Sequence, residues 1–304
     1  MNEWTAILIS VPLTFAAAWF GGRFHGLIAS SHVRIQTLLS FVGGLMLGMA
    51  LLHLVPHAVV QLGSLDQAMY GMLAGLIGVF LLIRFLGVHS HDAGPDASAD
   101  ASHDDRVHDG PDHGSGSRVR WVVLLSGLGL HSVVDGLAVA SAVMIACSEH
   151  ARWPGLSILI VVLLHKPIDA VSLTGTLAAV GESDRRRTIM NFLFAAITPL
   201  ATVGAFVGLV SSGSGAGMAM AVAAGAFICV ALADLMPEVQ FHSHHRARFT
   251  LALAMGIALS WAIGLFEPEG HHHLPTDQPT DQPTDQPDAA AHEHHGHGHA
   301  GHSH

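Results

Sequence analysis

The chain has 304 residues, half of them hydrophobic and only 12 % charged, with a mean hydropathy of +0.47. A soluble domain carries about 25 % charged residues, so this composition excludes a soluble globular protein and makes a bilayer the expected solvent. The formal charge of −10 comes largely from carboxylates outside the apolar runs and presents nothing to nucleic acid, while the two cysteines, Cys147 and Cys229, both sit in apolar runs as small core residues rather than as a disulfide framework or a cysteine zinc site.

Eight apolar stretches are long enough to span a membrane, at about 4–22, 33–60, 69–88, 119–147, 154–180, 188–211, 216–240 and 248–266. Backbone groups in lipid must be satisfied internally, so these stretches predict an all-α integral membrane protein of eight transmembrane helices. Runs such as Gly43-Gly44-Leu45-Met46-Leu47-Gly48 do not alternate as barrel strands must, and the 33 glycines suit close helix packing. The first stretch lacks a basic leader and an A-x-A cleavage site, so it reads as a retained helix. The organisation is then spans one to three over 1–88, a His/Asp-rich loop over 89–117, spans four to eight over 118–266 and a His-rich tail over 267–304.

The loop carries five histidines and seven aspartates among Gly, Ser and Ala without apolar periodicity, which predicts disorder. The tail has His271-His272-His273, three TDQP units and a His-rich end from His292 to His304. Imidazole at this density binds Zn²⁺, Ni²⁺ or Cu²⁺ weakly in many geometries, and a merely solvating linker is the alternative. Arginine placement sets the orientation. Eleven arginines fall on the side holding loops one, three, five and seven, against Arg152 alone on the other, so both termini are expected outside and segment 89–117 in the cytoplasm.

Polar groups inside apolar spans are costly and each implies a cavity, a partner or a site. Four pairs occur at i, i+4, which places each pair on one helix face: His53 with His57, His131 with Asp135, His165 with Asp169, and Asp234 with Glu238. Two helices that each present a His and an Asp can enclose one ion with two nitrogens and two oxygens, a set that suits Zn²⁺. A hydrogen-bonded couple joining two helices explains one such pair but strains to explain four. No H-E-x-x-H motif is present and no hydrolytic base stands beside these residues, so an enzyme is not expected. The only lysine, Lys166, lies deep in the fifth span beside His165, where an ammonium costs about 2.5–3.5 kcal/mol unless paired or hydrated.

These motifs resemble those of the ZIP (Zrt/Irt-like) metal transporter family over essentially all of residues 1–266. The second span, GLMLGMALLHLVPHA from Gly44 to Ala58, is similar to the family segment ending in H-L-x-P-H-A. His131-Ser132-Val133-Val134-Asp135-Gly136 is similar to H-N-x-x-D/E-G, and His165-Lys166-Pro167-Ile168-Asp169 to H-E-x-P-x-x in the histidine and the carboxylate four residues on. Val230 to Glu238, VALADLMPE, is similar to V-A-L-x-D-x-x-P-E.

The resemblance implies a ZIP-like bundle that carries divalent transition metals toward the cytoplasm, zinc first, with Fe²⁺, Mn²⁺, Co²⁺ and Cd²⁺ as further candidate substrates. It makes His131, Asp135, His165 and Asp169 the central ligands, and His53, His57, Asp234 and Glu238 relay ligands. Many members hold a second ion beside the first, using the second residue of each motif and a carboxylate on the sixth span. Here those places fall on Ser132, Lys166 and Thr198, none of which offers the negative charge a second cation needs. One metal per site is therefore expected, with the Lys166 ammonium in place of the second. The short form favours a bacterial inner membrane, with divalent ions and the lipid bilayer as partners, and a homodimer is one arrangement such a chain can adopt. The rival readings are an exporter of the cation diffusion facilitator type, which has six spans and a soluble domain, an intramembrane zinc hydrolase, and a non-transporting sensor.

Overall fold

The computed structural model describes residues 2–23, 32–91, 115–148, 153–212, 215–241 and 246–265, and the side chains of all of these except 32, 35, 86–91, 115–124 and 234–241. All regular structure among the described residues is helical, and eight helices are long and apolar enough to cross a membrane. They are α1 (Glu3–Arg23), α2 (His32–Met49, continuing through Ala50–Leu54 and Val55–Leu62), α3 (Leu65–His91), α4 (Ser115–Ser148), α5 (Leu156–Ala179), α6 (Asp184–Ser212), α7 (Ala216–Phe241) and α8 (Arg246–Gly264). At about 1.5 Å per residue, the 24 residues of α5 reach about 36 Å, enough for a hydrocarbon core of about 30 Å. Most of the segment 89–117 lies outside the described residues; α3 runs to His91 and α4 begins at Ser115. The tail 267–304 lies outside them as well.

Local chemistry sets several boundaries. Asn2 Oδ1 accepts the Thr5 N–H at 2.9 Å and caps α1. Gly63 closes α2 at φ +62°, a conformation that glycine reaches without a Cβ clash. Inside α2, Pro56 has no N–H to offer the Leu52 carbonyl, and the helix widens over Ala50–Leu54 into a π-turn in which the Val55 N–H reaches back to the Ala50 carbonyl. That wider turn buries Ala50, His53 and Leu54 together while Leu51 and Leu52 stay exposed.

The helices pack as two groups. One contains α1, α4, α5 and α6; the other contains α2, α3, α7 and α8; α4 and α5 of the first face α2 and α7 of the second. Within each group backbones approach so closely that several glycines have no room for a side chain. A Cβ on Gly44 or Gly256 would strike the facing backbone across α2 and α8, and one on Gly75 or Gly225 would do so across α3 and α7. Gly136 is pressed against α6 and Gly21 against Pro167 of α5. Such contacts maximise dispersion where the hydrophobic effect no longer drives helices together. Between the groups the contact surface is made by apolar side chains instead, including Met49 and Leu54 of α2, Val134 and Ala138 of α4, and Met220 and Phe227 of α7.

The outer surface is apolar, with Trp4, Leu8, Phe20, Tyr70, Leu73, Phe80, Leu200 and Trp261 more than half exposed. The buried set includes His131, Asp135, His165, Lys166 and Asp169. This inversion is what lipid as solvent demands, and it locates the chemistry in the interior of the first group.

Candidate metal centre

The i, i+4 spacing does what helix geometry requires. His131 and Asp135 share one face of α4, His165 and Asp169 share one face of α5, and the neighbouring helices turn these faces toward each other. One ligand atom from each of the four lies within 4.8 Å of the others. The cross-helix contacts are His131 Nε2 to Asp169 Oδ2 at 3.4 Å and His165 Nε2 to Asp135 Oδ1 at 3.5 Å; within each helix His131 Nε2 lies 3.7 Å from Asp135 Oδ2 and His165 Nε2 lies 4.0 Å from Asp169 Oδ2. Four ligands bound tetrahedrally at about 2.0–2.2 Å stand about 3.3–3.5 Å apart, and the two cross-helix contacts already have that spacing.

The hydrogen bonding around the cluster points the same way. His165 Nδ1 donates to the Val161 carbonyl at 2.8 Å, which fixes the tautomer and leaves the Nε2 lone pair toward the carboxylates. His165 Nε2, both ring nitrogens of His131, Asp135 Oδ1 and Asp169 Oδ2 are buried without a hydrogen-bond partner. Each such group costs about 1–3 kcal/mol in an apolar interior, a cost that a cation removes for those facing the cluster, His131 Nε2 among them. The His131 and His165 rings stand 5.3 Å apart, and the Phe227 ring of α7 packs against His131 at 5.9 Å.

Lys166 completes the arrangement. Its Nζ lies 2.5 Å from Asp135 Oδ2 and 3.8 Å from Asp169 Oδ2, and it donates to Ser132 Oγ at 2.8 Å. Thr198 of α6 donates to the Ser132 carbonyl at 3.2 Å, so Ser132, Lys166 and Thr198 converge beside the four-residue cluster. The face of Phe194 lies 5.3 Å from Nζ. Two carboxylates and one ammonium leave a single net negative charge with neutral histidines. One divalent ion takes the cluster to one positive charge, and a second would take it to three.

His53 and His57 are not part of this cluster. His53 Nε2 donates to the Ser260 carbonyl of α8 at 2.9 Å, and its ring fills the space left by Gly264. His57 Nδ1 donates to the His53 carbonyl at 2.7 Å. The side chains of Asp234 and Glu238 lie outside the described residues, on the last part of α7. Phe194 and Phe227 had no signal in the sequence, being apolar residues in apolar helices.

The chain is 27 % identical over an alignment of 274 residues to zinc transporter ZIP1 of Homo sapiens and equally to that of Mus musculus, covering 78 % of this chain and 80 % of each relative. Residues 86–264, more than half of the chain and all of α4, α5 and α6, match the family model described as ZIP zinc transporter. With eight apolar helices around a buried His/Asp cluster, the chain is a multi-pass membrane transporter of divalent metal ions rather than an enzyme, and it belongs to the ZIP zinc transporter family.

Proposed function

We propose that this protein carries zinc toward the cytoplasm through one ion site made by His131, Asp135, His165 and Asp169. The observation that carries this reading is the four buried ligand atoms, one from each of these residues, that lie within 4.8 Å of one another without hydrogen-bond partners. Two imidazoles and two carboxylates suit Zn²⁺ and tolerate Fe²⁺, Mn²⁺, Co²⁺ or Cd²⁺ less selectively than a thiolate site would. The zinc named for the mammalian relatives supports the same substrate.

Lys166 stands where a second ion would sit. A second divalent cation about 4 Å from its ammonium meets a repulsion of about 8 kcal/mol at an effective dielectric of about 20. The site therefore takes one ion at a time. Transport follows when the group holding both ligand helices shifts against the group of α2, α3, α7 and α8, across a boundary of apolar side chains. His53, His57, Asp234 and Glu238 serve the route on either side, and the His/Asp-rich segment 89–117 receives the ion in the cytoplasm. Both termini lie outside and the membrane is a bacterial inner membrane. A hydrolase needs an open water position on its zinc, which four protein ligands do not leave.

The test is zinc uptake into proteoliposomes by the wild type, His165→Ala and Asp135→Ala at matched reconstitution. Saturable flux abolished by both substitutions is the expected result. Absence of wild-type flux with zinc still tightly bound would favour a sensor.

A further inference from the structure

Phe194 carries no ligand atom, yet it is 1 % exposed and lies beside a buried cation, Lys166, itself 1 % exposed. An ammonium has three N–H donors to satisfy. Ser132 Oγ accepts one at 2.8 Å, the Asp135 and Asp169 carboxylates pair with the charge at 2.5 and 3.8 Å, and the face of Phe194, 5.3 Å from Nζ, lies against the positive edge. The lysine stem is flexible and tends to carry its head toward water when nothing holds it. The ring closes the third side of the cage.

The cage divides the two oxygens of Asp135. Oδ2 lies 2.5 Å from the ammonium and 3.7 Å from His131 Nε2, the ammonium being much the nearer, and Oδ1 faces His165 Nε2 at 3.5 Å. We propose that Phe194 is a positioning residue that sets metal selectivity: with Ser132 it pins Lys166 on Asp135 Oδ2, so that Asp135 offers the ion a single oxygen. The inference rests on the transport site proposed above. A one-oxygen aspartate completes a four-coordinate set, which satisfies Zn²⁺. Mn²⁺ prefers an octahedral oxygen-rich shell, and a carboxylate held to one oxygen withholds a ligand from it. Removing the ring lets the ammonium leave, Asp135 turns both oxygens toward the ion, and Mn²⁺ gains more than Zn²⁺.

The experiment measures how well Mn²⁺ competes with zinc for flux into proteoliposomes carrying the full-length protein. Phe194→Leu and Phe194→Met, two apolar variants without an aromatic face, are expected to raise the relative potency of Mn²⁺ about three- to tenfold. Phe194→Tyr, which keeps the face, restores the wild-type ratio. Lys166→Met shifts the ratio at least as far, and Phe194→Leu adds nothing in that background, because the ring acts through the ammonium. An unchanged ratio in both apolar variants, or additive effects of Phe194→Leu and Lys166→Met, overturns the selectivity role alone while wild-type zinc flux that Asp135→Ala blocks upholds the site. Absence of wild-type flux overturns both.

Discussion

The Lys166–Asp135 contact makes Asp135→Asn a demanding test, because it removes a charge while keeping the shape of the side chain. At 2.5 Å and an effective dielectric of about 20 the pair is held by about 7 kcal/mol of Coulomb attraction. Ser132 at 2.8 Å, the Phe194 face at 5.3 Å and Asp169 at 3.8 Å keep part of the hold on the ammonium after the change. The net loss should therefore fall in the range of about 3–5 kcal/mol found when one partner of a buried pair is removed. At about 2–4 °C per kcal/mol, that lowers the unfolding midpoint by about 6–20 °C. The assay is thermal unfolding of the purified, chelator-treated protein in detergent. Asp135→Asn combined with Lys166→Met removes the orphaned charge and should recover most of the loss, while zinc flux stays absent in both variants because a ligand is still missing. An Asp135→Asn protein that unfolds with the wild type, or a double variant no more stable than the single one, would refute the account of the pair.

Other consequences are open to direct measurement. Gly225→Ala drives a Cβ into the Met72 backbone of α3 and should cost about 1–3 kcal/mol in an unfolding titration, whereas Gly204→Ala, with open space around it in mid-helix, should be neutral or stabilising by up to about 1 kcal/mol. His53→Ala loses the bond to the Ser260 carbonyl and leaves a gap beside Gly264, which should cost about 1–3 kcal/mol of thermal stability. Zinc flux should fall as the outside pH drops, because protons and metal compete for the same imidazole nitrogens; flux measured across a pH series with the gradient held constant checks the sign.

Much of this protein was legible in its sequence because lipid is an unforgiving solvent. Eight apolar runs leave no architecture but helices, and the four polar pairs at i, i+4 stand out against them. Periodicity places His131 with Asp135 and His165 with Asp169 on common faces, but it is silent on whether those faces meet. The same pattern occurs at His53 and His57, where the structure shows a ring bonded to the α8 backbone instead. What separates the two cases is the packing of α4 beside α5, set by contacts such as Gly136 on α6 and Gly21 on Pro167 that carry no chemical label. The π-turn was equally hidden, since Pro56 predicts a disturbance in α2 but not its form. Phe194 was invisible for a related reason: an aromatic residue in a membrane helix reads as core until a cation is found against its face.

The central claim, one ion at a four-residue site beside a fixed ammonium, is tested most directly by anomalous diffraction from crystals of the protein soaked in zinc. The account predicts a single peak inside the membrane-spanning bundle, about 2.0–2.2 Å from nitrogens of His131 and His165 and from one oxygen each of Asp135 and Asp169, with Lys166 still on the far oxygen of Asp135. Two peaks bridged by a carboxylate, or an empty cluster with zinc bound elsewhere in the bundle, would contradict it.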